Sequence, residues 1–288
     1  MKIGMIGLGV MGRPMALNLH RAGYDLCVAP HRANMNDYFA SFGIPLVSKK
    51  EIGECCDVVL LMLPDSEQVR SVMLEDDRLA VIMKPGSVLI DMSSIDPAVS
   101  KEVYAQLSKR GIQMLDAPVS GGEPAAIEGT LSFMVGGRQE VFDRYRPLLL
   151  AMGSSAVRVG DIGAGNTAKL CNQIIVAGNL MALAEGITLA QQAGLDPSVL
   201  IEALQGGLAD SAVMHAKAQM MIDQRYDPGF RIDLHIKDLN NALRAADVAG
   251  APVPLCAQVK EVMQWLHAHD MGSLDHSSIK AFYDALRK

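Results

Sequence analysis

The hydrophobic pattern divides the chain into two halves of different texture. In the first half, short apolar runs alternate with helical stretches. Lys2–Ile6 is apolar and ends at glycine, and Leu17–Ala22 continues a helix that stops at Gly23, a residue type suited to closing helices. Asp25–Ala29 reads as a second strand, and Ser48-Lys-Lys-Glu51 as a capping box that opens a short helix. Val58–Leu63 is continuously apolar, as a central parallel strand covered on both faces requires. It runs into Pro64-Asp65-Ser66, a turn and helix start. Val88–Asp91, Met114–Ala117 and Ser132–Val135 follow as strands, with Pro97–Lys109 a helix between the first two. This alternation predicts an α/β fold with a doubly wound parallel sheet.

The texture changes after Gly160. Gly165 to Ala193 reads as one long helix ended by Gly194. Pro197–Gln205, Ser211–Asp223, Leu234–Ala249, Pro254–His269 and Ser277–Leu286 add five helical segments, and no strand is expected among them. The glycine-rich stretch from Gly160 to Gly165 is the natural boundary, giving residues 1–162 to the α/β domain and 163–288 to an all-α domain behind a long connecting helix.

Length agrees, since 288 residues at about 150 per domain make two. The charge narrows the partners. With 26 Lys+Arg against 32 Asp+Glu the net charge is −6, which argues against nucleic acid, whose phosphates need clustered cations. No uninterrupted apolar run approaches the ~18 residues of a membrane span, and the first residues lack a signal-peptide core. A cytoplasmic protein with no membrane partner is expected. The five cysteines are odd in number and show no C-x-x-C spacing, so they are expected as reduced, buried thiols. His267 and His269 are two apart and face different sides of a helix, so no metal site is expected there.

Gly7-Leu8-Gly9-Val10-Met11-Gly12 matches G-x-G-x-x-G. Such a match is weak alone, but this one follows an apolar strand and opens a helix. There Gly7 permits the tight turn, Gly9 admits a pyrophosphate to the backbone, and Gly12 lets helix and strand pack closely. The expected cofactor is a nicotinamide dinucleotide on a Rossmann-type sheet. At the end of the second strand, where a carboxylate would accept the ribose hydroxyl of NAD, the chain has Ala29-Pro30-His31-Arg32. A guanidinium there suits the 2′-phosphate of NADP, which favours NADP over NAD.

Further segments bring a resemblance into view. Gly7-Leu-Gly-Val-Met-Gly-Arg-Pro-Met-Ala16, Asp91-Met-Ser-Ser-Ile-Asp-Pro97, Asp116-Ala-Pro-Val-Ser-Gly-Gly122, Gly163-Ala-Gly-Asn-Thr-Ala-Lys169-Leu-Cys-Asn172 and Lys237-Asp-Leu239 occur in order along the chain. Together they resemble the β-hydroxyacid dehydrogenases, the family of 3-hydroxyisobutyrate dehydrogenase. Gly121-Gly-Glu-Pro124, Phe230–Lys237 and Asp275-His-Ser277 are most similar to the branch that reduces tartronate semialdehyde. Pro30-His31-Arg32 departs from the pattern, where members usually carry an acid or an Asn-Arg pair. The resemblance implies reversible hydride transfer between NAD(P)H and the aldehyde of a small carboxylate. It implies that Ser120, Gly121 and Gly122 bind substrate, that Asn172 orients it, and that Lys237 and Phe230 serve the cofactor side. It also implies a homodimer or homotetramer.

Hydride arriving at a carbonyl carbon leaves negative charge on oxygen, so a proton donor must be near. Lys169 is the expected donor. Asn172 and Gln173, at i+3 and i+4, share its helix face, and such polar groups are costly to bury unless they bind something. From the residues alone, a lysine snorkelling to the surface is the commoner reading; the surrounding motif changes that. Leu63, Pro64 and Ser94 are expected to line the cofactor pocket, because ligands bind beyond the C-terminal ends of strands in such sheets. Other β-hydroxyacid dehydrogenases, acting on 3-hydroxyisobutyrate, 3-hydroxypropionate or serine, are the alternatives. A non-enzymatic dinucleotide sensor would have no need to keep Lys169.

Overall fold

The computed structural model describes residues 1–29 and 34–286, with the backbone alone for residues 34–36. The chain divides into two compact units, Met1–Lys169 and Leu170–Lys288. In the first, β1 (Lys2–Ile6), α1 (Gly12–Arg21), β2 (Asp25–Ala29), α2 (Asn34–Ala40), α3 (Lys49–Cys55), β3 (Val58–Leu61), α4 (Ser66–Met73), α5 (Leu79–Ile82), β4 (Val88–Asp91), α6 (Pro97–Ser108) and β5 (Gln113–Asp116) follow in turn. Then come β6 (Val119–Ser120), α7 (Gly122–Glu128), β7 (Leu131–Gly137), α8 (Gln139–Leu150) and β8 (Gly153–Gly160).

The strands form one eight-stranded sheet in the order β2-β1-β3-β4-β5-β7-β6, with β8 on β7. From β2 to β5 all pairings are parallel, as the alternation of strands and helices predicts. The parallel expectation fails at β7, which runs antiparallel to β5 and β6. β8 then pairs parallel to β7, so β7-α8-β8 is a further crossover unit pointing the other way. Continuous apolar runs are needed because successive residues enter different cores. Val58 and Leu60 of β3 belong to one hydrophobic cluster, and Val59 and Leu61 to the other.

Two helices of the first unit start where the sequence indicates. Ser48 and Glu51 form the predicted capping box of α3, and Asp65 caps α4 by accepting the Gln68 N–H at 2.8 Å.

The second unit continues the long helix α9 (Ala164–Gln192) and adds α10 (Pro197–Leu204), α11 (Ala212–Asp223), α12 (Ile232–Ala249), α13 (Pro254–Ala268), a 3₁₀ turn (His276–Ser278) and α14 (Ile279–Ala285). No strand occurs among its described residues. Its core gathers Leu170, Ala177, Leu180, Ala184 and Ile187 of α9 with residues of α10 to α14. Averaged over 18 residues, α9 reaches a mean hydropathy of 1.5 and is long enough to cross a membrane. Counting uninterrupted apolar residues missed this, because Asn and Gln punctuate the helix. The buried residues of α9, 39% of that stretch, face the helical core, while Ile175 and Leu189 are exposed.

Candidate active site

The glycine loop between β1 and α1 has the geometry that a bound dinucleotide requires. Gly7 takes φ +96°, a conformation that other residues rarely adopt. A Cβ at Gly12 would collide with the Gly7 carbonyl oxygen, so this glycine is what brings α1 close to β1. A Cβ at Gly9, by contrast, would meet no described residue within 4 Å. The space over Gly9 is open, with Val10 exposed beside it and Leu8 and Gly12 buried below. These residues fit a nicotinamide dinucleotide, with its pyrophosphate against Gly9 and the first turn of α1. His31 and Arg32 lie outside the described residues.

The loops after β3 and β4 are tied together beside it. The Leu63 N–H donates to Ser93 Oγ at 2.9 Å, and the Asp96 N–H donates to Ser66 Oγ at 3.0 Å. Ser93 in turn gives its N–H to Asp91 Oδ1 at 3.0 Å. Ser93 therefore spends its hydroxyl on shaping the Leu63–Pro64 turn. Ser94 is half-buried and Pro64 exposed, and the cap of α6 is Asp96 rather than either serine. Asp91 is fully buried, and its other oxygen, Oδ2, has no hydrogen-bond partner among the described residues. Burial, with a smaller push from Asp116, raises its carboxyl to about 7.

On the next strand, Asp116 is likewise buried, and its carboxyl is pushed up to about 6 by burial against the pull of the N–H groups it accepts. Four residues on, Ser120 ends β6 half-buried, and Gly121 and Gly122 are exposed with φ +133° and +68°. A Cβ at Gly121 would meet Ala125 at 2.5 Å, so only glycine fits there. The turn presents a hydroxyl beside exposed backbone, a fit for a small carboxylate.

Lys169, also of the first unit, lies in the second turn of α9 and is 8% exposed. Gly163 at the entrance to α9 takes φ +91°, and the Asn166 side chain is fully buried.

The second unit holds the other expected residues. Asn172 Nδ2 donates to Gln173 Oε1 at 2.9 Å, and Gln173 Nε2 donates to the buried Asp238 at 2.6 Å. Lys237 pairs with Asp238 at 3.0 Å, an ion pair with one buried partner rather than a purely surface one. His235 is buried, with Nε2 at 3.2 Å from the Gln173 carbonyl and Nδ1 at 3.1 Å from His276 Nδ1. The Phe230 ring packs edge-on to both imidazoles, with centroids 5.5 and 5.4 Å away. His267 bonds Asp233 and His269 stacks on Trp265. Among the described residues no cluster could hold a metal ion. Cys27, Cys56 and Cys256 are buried as expected, but Cys55 and Cys171 are exposed, because hydrophobicity does not report which face of a helix a residue occupies.

Asp91, Asp116 and Asn166 stand within the sequence motifs, which by themselves assign them no role. Their partners lie 47 to 71 residues away for Asp116 and Asn166, beyond any local signal.

Comparison with known proteins identifies the family. Residues 2–160 match the family model for the NAD binding domain of 6-phosphogluconate dehydrogenase. Residues 163–283 match that for the NAD-binding domain of NADP-dependent 3-hydroxyisobutyrate dehydrogenase. The chain is 40% identical to the 2-hydroxy-3-oxopropionate reductase of Escherichia coli K12 over 279 residues, covering 97% of this chain and 96% of that protein. It is 36% identical to a Pseudomonas aeruginosa 3-hydroxyisobutyrate dehydrogenase, covering 98% of each. The solved structure of Mycobacterium tuberculosis 3-hydroxyisobutyrate dehydrogenase with L-serine superimposes with a TM-score of 0.89 at 32% identity, covering 100% of this chain and 99% of that one. The chain belongs to the NAD(P)-dependent β-hydroxyacid dehydrogenase family.

Proposed function

We propose that the chain reduces tartronate semialdehyde (2-hydroxy-3-oxopropanoate) to D-glycerate, reversibly, with Lys169 as general acid and base. The observation that carries the chemistry is a lysine buried to 8% exposure near the start of α9. The choice of substrate rests on the 40% identity to the E. coli 2-hydroxy-3-oxopropionate reductase.

NAD(P)H, when bound, supplies the hydride that reaches the aldehyde carbon. The Lys169 ammonium gives its proton to the aldehyde oxygen as charge develops there. In the oxidative direction the neutral amine takes the hydroxyl proton back. Ser120 Oγ and the Gly121 and Gly122 N–H groups hold the substrate carboxylate, and Asn172, one turn beyond Lys169, orients the rest. Gly7–Gly12, Leu63, Pro64 and Ser94 hold the cofactor.

The test is a panel of tartronate semialdehyde, 3-hydroxyisobutyrate, 3-hydroxypropionate and L-serine, each measured with both cofactors in its own direction. The expected result is a kcat/KM for tartronate semialdehyde at least tenfold above the others. Equal or better turnover of 3-hydroxyisobutyrate would transfer the assignment to that substrate, which the 36% relative favours. NADPH is expected to outperform NADH, and Arg32→Ala to narrow the ratio; an unchanged ratio removes Arg32 from cofactor choice.

A further inference from the structure

Asp116 takes no direct part in the reaction proposed above, yet it is fully buried at the C-terminal end of β5. Its two oxygens accept two different backbone amides. Oδ1 takes the Gly163 N–H and Oδ2 the Asn166 N–H, each at 2.8 Å. The amides at a helix entrance have no intrahelical acceptor, so a buried carboxylate satisfies them at the point where α9 begins. This cap comes from a strand 47 and 50 residues away in sequence, not from the preceding residue.

Asn166 completes the anchorage. Its Oδ1 accepts the Ile95 N–H at 3.0 Å, and its Nδ2 donates to Ser100 Oγ at 3.1 Å. The backbone around the carboxylate has no slack. A Cβ at Gly136, opposite Asp116 on β7, would collide with Asp116 Oδ1. One at Gly165 would collide with the Asp116 carbonyl and would come within 2.6 Å of the Met134 carbonyl. Lys169 stands three residues after Asn166, on the same face of the same continuous helix. The substrate turn at Ser120 stands four residues after Asp116 on Asp116's own segment.

We infer that Asp116 is a positioning residue for Lys169: by holding the Gly163 and Asn166 amides it fixes the rotation and depth of the first turn of α9. It thereby ties the proton donor to the segment that carries the substrate turn. The inference rests on Lys169 being that donor.

A double-mutant cycle on the intact enzyme tests it, with the best substrate of the panel above. Asp116→Asn keeps the shape but turns an amide N–H toward a backbone N–H. The expected result is a fall in kcat of about tenfold to a hundredfold, the scale of a misplaced catalytic group. The NAD(P)H Kd from fluorescence titration should stay within about twofold. In a Lys169→Ala background, Asp116→Asn should change the residual rate by less than about twofold, because a residue acting through Lys169 has nothing left to position. An unchanged kcat in the single variant would overturn the inference, as would an equal loss in both backgrounds. Wild-type turnover by Lys169→Ala would instead remove the donor assignment, and the positioning role with it. Should Asp116→Asn fail to fold, Ser100→Ala loosens the same turn and enters the same cycle. A severalfold kcat loss that vanishes without Lys169 is expected, and no loss overturns.

Discussion

Burial holds the Asp91 carboxyl at about 7 and the Asp116 carboxyl at about 6, against about 3.9 for an exposed aspartate. The folded chain therefore binds these protons more tightly than the unfolded one. Their contribution to stability is whole below about pH 4 and is lost as pH rises through 6 and 7. Asp91→Asn keeps an oxygen for the Ser93 N–H and removes the cost of burying charge. The variant should gain on the wild type in melting temperature from pH 5 to pH 8; a pH-independent difference would contradict the assigned burial. Asp275 has the opposite sign. Burial pushes it up, but nearby His276, the Phe230 and Ser277 N–H groups and Lys217 outweigh that and hold it at about 2. Its contribution is present above about pH 4 and is lost as pH falls toward 2. Asp275→Asn should cost several kcal/mol at pH 7, the scale for one partner of a buried pair, and much less near pH 2. Denaturation at both pH values measures the difference. Neither sign was legible in the sequence. The motifs showed where aspartates stand, but burial and, for Asp275, partners as far as 45 and 58 residues away help to set their charge.

Among the elements, the glycine loop gives the sharpest contrast. Gly12→Ala forces a Cβ onto the Gly7 carbonyl and should destabilise the fold by several kcal/mol. Gly9→Ala meets no described residue within 4 Å. It should leave the melting temperature of the free protein unchanged while weakening NAD(P)H binding at least tenfold, as fluorescence titration reads; unchanged affinity would move the pyrophosphate elsewhere. This loop was legible because its constraints are local: strand, turn and helix meet within a few residues. The same holds for β3, where an unbroken apolar run announces burial on both faces. The strand β8 was not legible. It lies off the main strand path and leaves Val157 and Val159 exposed, so GSSAVRVG shows no two-faced burial. The direction of β7 was hidden for another reason: hydrophobic period marks a strand but carries no sign of which way it points. Pro147 inside α8 obscured that helix.

At the scale of the whole molecule, the two units carry separate hydrophobic clusters, the arrangement that lets units unfold in separate steps. Cofactor should stabilise the folded chain by mass action, by ~2.7 kcal/mol at a hundredfold excess over Kd, and so raise the melting temperature; Gly9→Ala should lose most of that shift. The net charge of −6 sets a further condition. An acidic protein that handles a small anion must bring positive groups to it locally. The measurement that bears most directly on the proposed chemistry is therefore the turnover of Lys169→Ala at saturating substrate, with its NAD(P)H Kd measured alongside. A kcat lowered by about 10²–10⁴-fold with Kd within about threefold is predicted, the range for loss of a general acid. Near-normal turnover would contradict Lys169 as the proton donor.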